Sequence, residues 1–446
     1  MKYIPLAEQD KAEILKQIGV SDIEKLFESI PKNLRVNSDL DYPKAQSEME
    51  IRRTFDKLES LSPRPDMSFA GCGIYQHDLP AIIPNIQGRA EFATAYTPYQ
   101  PEISQGLLQC IFEFQTLACQ LTETELSNAS LYDGATSLGE AVSMALRIQK
   151  KNEGKILITG ALHPHYEQVL NTYGSAFADK MEVLELNQDR LDLAKLKAKL
   201  QSERIDVLVT QSPNVFGCLE DYDEIGKLLK AHPKTLWVTS TMEPLVWGLL
   251  KGPGAFGAHI VTAEGQSFGN ASYLGGSSYG FFCTKNEFIR NLPGRLVGET
   301  VDEESKRAFT LTFATREQFI RRGRATSNIC TNNNLNMLAG LIHLCSLGKA
   351  GIREMASQNL SKTEYLKSRL PADRLSGSPT FNEFTIETKT PAATLVERSS
   401  NQNWICGVDL GRFKSEWKHK LLIHISELHT KEQIDQLASF LLKEVA

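Results

Sequence analysis

The sequence predicts an α/β protein, a large domain on a mostly parallel sheet followed by a smaller α+β domain. Three observations predict it. Between residues 155 and 285, short β-branched runs alternate with helical segments. Those runs are apolar along their whole length, as strands are when helices cover both faces of a sheet reached by βαβ crossovers. After residue 330 the rhythm changes to long helical stretches with two separated strands. The 446 residues are enough for one large core with a smaller domain packed on it. With 41% hydrophobic and 23% charged residues, the chain is neither disordered nor fibrous.

Residues 1–65 read as a helical arm, in which Ser21 stands three residues ahead of Glu24 in the pattern of a capping box. Proline-rich SPRPD (62–66) closes it. The large domain follows over 66–325. Its helices include 105–121 and 137–150, and its strands fall at 155–160, 180–186, 206–212, 235–241, 259–265 and 279–285. Ligands of such a sheet gather in the loops at the C-terminal ends of the strands. The small domain, 326–446, reads as helices over 334–347 and 350–369, strands at 381–388 and 420–427, and a last helix from Thr430 to Val445.

Charge and cysteine usage narrow the function. With 49 basic against 54 acidic side chains, the net charge of −5 weighs against nucleic acid as the main partner. No apolar run reaches the roughly 18 residues of a membrane span. The first residues carry acids where a secretory signal has an apolar block, so a cytoplasmic protein is expected. The eight cysteines lack CxxC or Cys/His spacing, which predicts reduced packing residues and no metal site.

Five segments are candidates for chemistry. In YDGATSLGEA (132–141), Gly134, Ala135 and Thr136 open a helix whose backbone N–H groups would seat an anion, although capping by Asp133, Thr136 or Ser137 gives the same pattern. The glycine-rich stretch 263–282 allows close backbone approach to a ligand or a neighbouring subunit, or is a tight turn. It matches neither GxGxxG nor a P-loop. In AYTPYQPEISQG (95–106), Pro98 and Pro101 restrict the backbone and aim Tyr96 and Tyr99, as suits a site, an interface or an ordered loop. In HPHY (163–166), His163 and His165 lie in a βα loop, where an imidazole either stacks on a planar ligand or is structural. In 295–304 and 315–334, Arg316, Arg321, Arg322 and Arg324 share no helical stripe, and the ATSNICT run reads as hinge or site.

AGCGIYQHDLP (70–80), AYTPYQPEISQGLLQCIFEFQT (95–116), LYDGATSLGEA (131–141), QSPNVFG (211–217), AEGQSFGN (263–270), FIRNLPGRLVGETVD (288–302) and REQFIRRGRATSNICTN (316–332) together resemble the glycine cleavage system P-protein, glycine dehydrogenase (decarboxylating). The length is similar to the family's separately encoded N-terminal half. The resemblance implies a fold-type I PLP-dependent transferase-like architecture with a seven-stranded-type sheet. It also implies decarboxylation of glycine with pyridoxal 5'-phosphate (PLP), the aminomethyl group passing to the lipoyl arm of H-protein.

In that fold the cofactor lysine falls in the glycine-rich region, and here Gln266 stands about there. An amide forms no imine, and no acid ends the preceding core strand at Val238, Thr239 and Ser240. Lys251 and Lys285 are misplaced for the role. The resemblance therefore implies PLP bound by a partner, P-protein subunit 2, in a heterodimer that itself pairs, with none covalently on this chain. Tyr96, Thr97, Pro98, Tyr99 and Gln100 are expected to wall the partner's site, with Ser327 and Asn328 as secondary contributors. Gly134, Ala135, Thr136, His163 and Gln266 would mark a vestigial cofactor site. Two other readings stand beside this one: a self-sufficient PLP-dependent aminotransferase or decarboxylase, and a non-catalytic scaffold subunit.

Overall fold

The computed structural model describes residues 7–36, 41–62, 64–93, 96–150, 153–272 and 276–445. Ala95 of the tyrosine motif, Pro63 of SPRPD and residues 273–275 of the glycine-rich stretch lie outside them. The chain divides into two units, Met1–Pro63 and Arg64–Ala446. In the first, helices α1 (Glu8–Ile18) and α2 (Glu48–Ser60) bury no residue. A capping box of Ser47 and Glu50 starts α2. The box expected at Ser21 and Glu24 does not form. Asp22 instead accepts from Lys25 N at 3.2 Å and caps the short turn Ile23–Phe27, while the Ser21 hydroxyl donates to Asp22. A carboxylate accepts a backbone N–H more strongly than the neighbouring hydroxyl does.

The second unit is built on seven strands: β1 (Leu126–Ser127), β2 (Lys155–Thr159), β3 (Met181–Leu184), β4 (Ile205–Gln211), β5 (Leu236–Thr241), β6 (Ile260–Glu264) and β7 (Gly280–Thr284). Their order is β1-β7-β6-β5-β4-β2-β3, parallel from β3 through β6 and antiparallel at β7 and β1. Every residue of β4, β5 and β6 is buried, Asp206, Thr210, Gln211, Thr239 and Glu264 among them, so these strands lack the alternation of half-exposed ones. Successive residues serve opposite faces. Leu157, Leu208, Trp237 and Phe281 enter one core, with Phe114 from helix α3 (Gln105–Thr122). Ile156, Val207, Val238 and Phe282 enter the other, with Leu138 and Val142 from helix α4 (Gly134–Gln149). Each such side chain contributes about 1.5–3 kcal/mol on burial. Helices α5 (Pro164–Tyr173), α6 (Leu193–Ser202) and α7 (Tyr222–Lys230) complete the crossovers.

One feature departs from the sequence reading. The polar run from 296 forms a hairpin, β8 (Leu296–Val301) with β9 (Arg307–Thr312). Its strands bury few residues, so no apolar run announced them. The two helices expected at 334–347 and 350–369 are the two parts of α8 (Asn334–Lys367), which breaks between them at Gly348 with φ 57° and ψ −176°. By length and composition α8 alone, among the described residues, is apolar enough to cross a membrane. Met337, Leu338, Leu341 and Leu344 of α8 are nevertheless buried in the main core.

The last layer is a three-stranded antiparallel sheet of β10 (Glu383–Glu387), β11 (Val408–Asp409) and β12 (Lys420–His424), with helices α9 (Ala392–Ser400) and α10 (Lys431–Val445). Residues 67–69 hydrogen-bond into it: Phe69 N donates to Ile405 O at 2.9 Å and His424 N to Phe69 O at 2.9 Å. From there residues 71–78 run as a strap into the ends of the main strands.

Candidate functional site

The pocket expected at the strand ends is filled by the chain itself. At the start of α4, Gly134 N donates to Glu264 Oε2 at 3.0 Å and Thr136 N to Asp133 Oδ1 at 2.7 Å. The anion seat thus holds two of the chain's own carboxylates. Glu264 ends β6, accepts from Gln266 N at 3.1 Å and from the Ser278 hydroxyl, and burial pushes its carboxyl up to about 7. A Cβ on Gly134 would stand 2.4 Å from the Tyr166 hydroxyl and 2.8 Å from Glu264 N, so only glycine lets the helix come this close. Ala135 is half-buried beside them.

His163 caps α5 with Nδ1, which accepts from His165 N at 3.1 Å. Burial holds its pKa down to about 3. A neutral ring accepting at Nδ1 carries its proton on Nε2, so it donates to Cys72 Sγ, 3.1 Å away. Both ring nitrogens of His163 are thus engaged within the chain. Gln266 is fully engaged as well. Its Oε1 accepts from Tyr75 N at 2.9 Å, and its Nε2 donates to Tyr75 O at 3.0 Å and Asn270 O at 2.7 Å.

Two further anchors hold the strap. Glu383 of β10 accepts from Cys72 N at 2.6 Å and from the Tyr75 hydroxyl at 3.1 Å, and burial pushes its carboxyl up to about 8. His77 lies between Glu243 (3.1 Å) and Glu427 (2.9 Å). Burial opposes its charge, but the two carboxylates prevail and raise its pKa to about 10. Tyr75 is 3% exposed. PLP does not fit these residues: the expected lysine position is an amide bonded to the strap, and the helix start expected to seat the phosphate holds Glu264.

The tyrosine loop is built in the opposite way. Tyr96 is 78% and Tyr99 52% exposed, while Pro98 between them is buried; Thr97 is half-buried and Gln100 exposed. The backbone under them is fixed: Tyr99 N donates to Thr97 O at 2.8 Å, and Asn334 Nδ2 to Tyr96 O at 3.0 Å. Arg295, buried at the start of β8, donates to the Tyr99 hydroxyl (3.1 Å), Cys330 O (2.7 Å) and Thr331 Oγ1 (2.7 Å). Phe319 meets the Tyr99 ring edge to face at 5.7 Å, and Ile103, Phe319 and Ile320 are exposed in neighbouring segments. The result is a rigid rim of outward aromatic and apolar groups, as interfaces use them.

The sequence candidates therefore separate into three places. Gly134, Ala135, Thr136, His163 and Gln266 meet in the filled pocket, and Tyr96, Thr97, Pro98, Tyr99 and Gln100 form the rim. Ser327 and Asn328 line a different, polar cleft with Glu140 and Arg147. Sequence reasoning passed over Glu264, Tyr75, Glu383 and Arg295. A carboxylate ending an apolar strand (IVTAE) and an arginine between Pro-Gly and a strand were the available signals.

Comparison with known proteins bears out the resemblance. The chain is 43% identical over 444 residues to "Probable glycine dehydrogenase (decarboxylating) subunit 1" of Halalkalibacterium halodurans, covering 98% of each. It superposes on the crystal structure of glycine decarboxylase (P-protein) of the glycine cleavage system in inhibitor-bound form, with a TM-score of 0.87, 36% identity, and coverage of 99% of this chain and 100% of that one. A sphingosine-1-phosphate lyase of Burkholderia pseudomallei, 12% identical and covering 93% and 94%, shares the fold alone at a TM-score of 0.65. The architecture is that of fold-type I PLP-dependent enzymes. With the family model for the glycine cleavage system P-protein matching residues 1–441, the chain belongs to that family.

Proposed function

We propose that this chain is the half of a two-subunit glycine decarboxylase that does not hold the cofactor, and that its rim loop closes the active site of the subunit that does. One observation carries the reading: Gln266, where the cofactor lysine is expected, has both amide groups committed to Tyr75. The reaction removes the carboxylate of glycine as CO2 and passes the aminomethyl group to the lipoyl arm of H-protein. Orientation of the breaking bond and exclusion of water are what a wall supplies.

The rim has the chemistry for that. Arg295 donates to the Tyr99 oxygen, which leaves the Tyr99 proton free to be donated outward. The cation behind it makes the hydroxyl a stronger donor to an anionic group on the partner, such as a phosphate or the glycine carboxylate.

The test is to co-express the chain with subunit 2, fix PLP with borohydride and map the labelled peptide by mass spectrometry, alongside glycine-dependent CO2 release with lipoylated H-protein. The label is expected on subunit 2, with turnover only when both chains are present. Label on a lysine of this chain overturns the reading.

A further inference from the structure

Away from the filled pocket and the rim, one cleft holds buried charged side chains whose hydrogen bonding is incomplete. It has a volume of about 450 Å³ and runs along α4, closed by Tyr173 and by the 322–329 segment. Glu140 is 5% exposed, and its Oε2 has no hydrogen-bond partner. Seven residues on, and so on the same face of α4, Arg147 keeps a buried Nε without a partner; its Nη2 makes one long bond to Asn291 O at 3.3 Å. No ion pair joins the two. Two helical turns, about 10 Å of rise, separate them, with Ser143 between.

A buried charge left unpaired is costly, and such groups are retained where something else meets them. Arg322 brings a second guanidinium to the cleft from a backbone at φ 51° and ψ −128°. A non-glycine residue bears about 1–3 kcal/mol of strain in such a conformation. The Tyr173 ring packs against Gly139, where a Cβ would stand 2.8 Å from it, and forms a flat wall. Ser327 and Asn328 add small polar groups.

We propose that this cleft binds a free α-amino acid with a small side chain, its carboxylate between Arg147 and Arg322 and its ammonium on Glu140. The two incompletely bonded charged groups are of opposite sign and share one wall, which is what a zwitterion requires and a simple anion does not. The polar lining leaves no place for a large apolar side chain.

The test is calorimetric titration of the full chain, purified alone, with glycine, L-serine, acetate and methylamine, so that it is judged separately from the two-subunit reading. Saturable binding of glycine or serine is expected, with acetate and methylamine each at least about ten-fold weaker. E140Q should weaken glycine about ten-fold and leave acetate unchanged, and R147Q should weaken both. E140Q is isosteric and removes a charge that burial disfavours, so its Tm without ligand should not fall, and the rise in Tm that glycine gives the unmodified chain should disappear. Absence of saturable binding at millimolar glycine and serine, equal affinity for acetate, or indifference to both substitutions overturns the proposal.

Discussion

Arg295 donates to the Tyr99 hydroxyl at 3.1 Å and places its guanidinium carbon 5.3 Å from the centroid of the same ring, so one buried cation fixes both the tip and the plane of a half-exposed tyrosine. Its Nη1 donates to Thr331 and its Nη2 also to Cys330 O, and Cys330 N in turn donates to the Tyr132 hydroxyl at 3.0 Å. The loop is therefore held from the 330–332 segment, whose residues are far from it in sequence. A partner meeting this rim meets a preorganised surface, which lowers the entropy cost of assembly.

Tyr99→Phe keeps the ring and removes the hydroxyl. A charge-assisted hydrogen bond of about 1.5–3 kcal/mol in the transition state corresponds to a loss of about 10- to 100-fold in kcat. Steady-state CO2 release by the co-purified heteromer checks this, with gel filtration showing that assembly is intact. Arg295→Gln should lose at least as much activity and also about 2–4 kcal/mol of stability, because Cys330 O, Thr331 and Tyr99 lose their shared donor inside the protein. Unchanged turnover in Tyr99→Phe would leave the chain a scaffold.

Gly134→Ala tests the closeness of α4 to β6. The added methyl meets the Tyr166 hydroxyl and the Glu264 backbone, and overpacking of this kind costs about 1–3 kcal/mol. Denaturant melts should show that loss, and Tyr166→Phe should recover part of it. Recovery stays partial because Glu264 N lies 2.8 Å from the new atom and backbone cannot be trimmed.

The sheet was legible because β4, β5 and β6 are buried at every position, and burial on both faces leaves short β-branched and apolar runs without the alternation of a half-exposed strand. The place of Gln266 was legible in the same way, since it lies just past the end of β6. What fills the pocket was not legible. Tyr75 meets Gln266 across 191 residues and Glu383 across 308, and no local pattern carries pairings of that separation. Arg295 was hidden likewise, since its partners Tyr99 and Thr331 lie on two other segments. The Ser21 box failed because two adjacent residues could cap the same turn and sequence spacing did not rank them.

Gln266→Lys restores the residue that the fold's cofactor chemistry uses, and it should not restore cofactor binding. The new ammonium would sit where Gln266 is 2% exposed, and it would leave Tyr75 N without its acceptor. A destabilisation of about 2–4 kcal/mol is expected. Addition of PLP followed by borohydride should leave no label on residue 266, because Glu264 still occupies the start of α4. Labelling at that position would mean that the strap yields to the cofactor.

Stability should fall as pH rises above the ordinary carboxylate range, and Glu383 is a main reason. Buried beside Cys72, Tyr75, His424 and Glu243, its carboxyl keeps its proton up to about 8 in the folded chain, whereas the unfolded chain releases it near 4.5. Between those values the folded state binds more protons, so unfolding becomes easier as pH increases, by about 1.4 kcal/mol per unit while the difference is a whole proton. Glu264, raised to about 7, adds in the same direction. His77, raised to about 10, extends the decline: its stabilisation is complete below about 6.5 and is lost as pH rises through 10. Glu383→Gln keeps an acceptor for Cys72 N and removes the titration. Its Tm should therefore exceed that of the unmodified chain at pH 8 by more than at pH 5, and equal differences at the two values would show that Glu383 does not hold its proton in the folded chain.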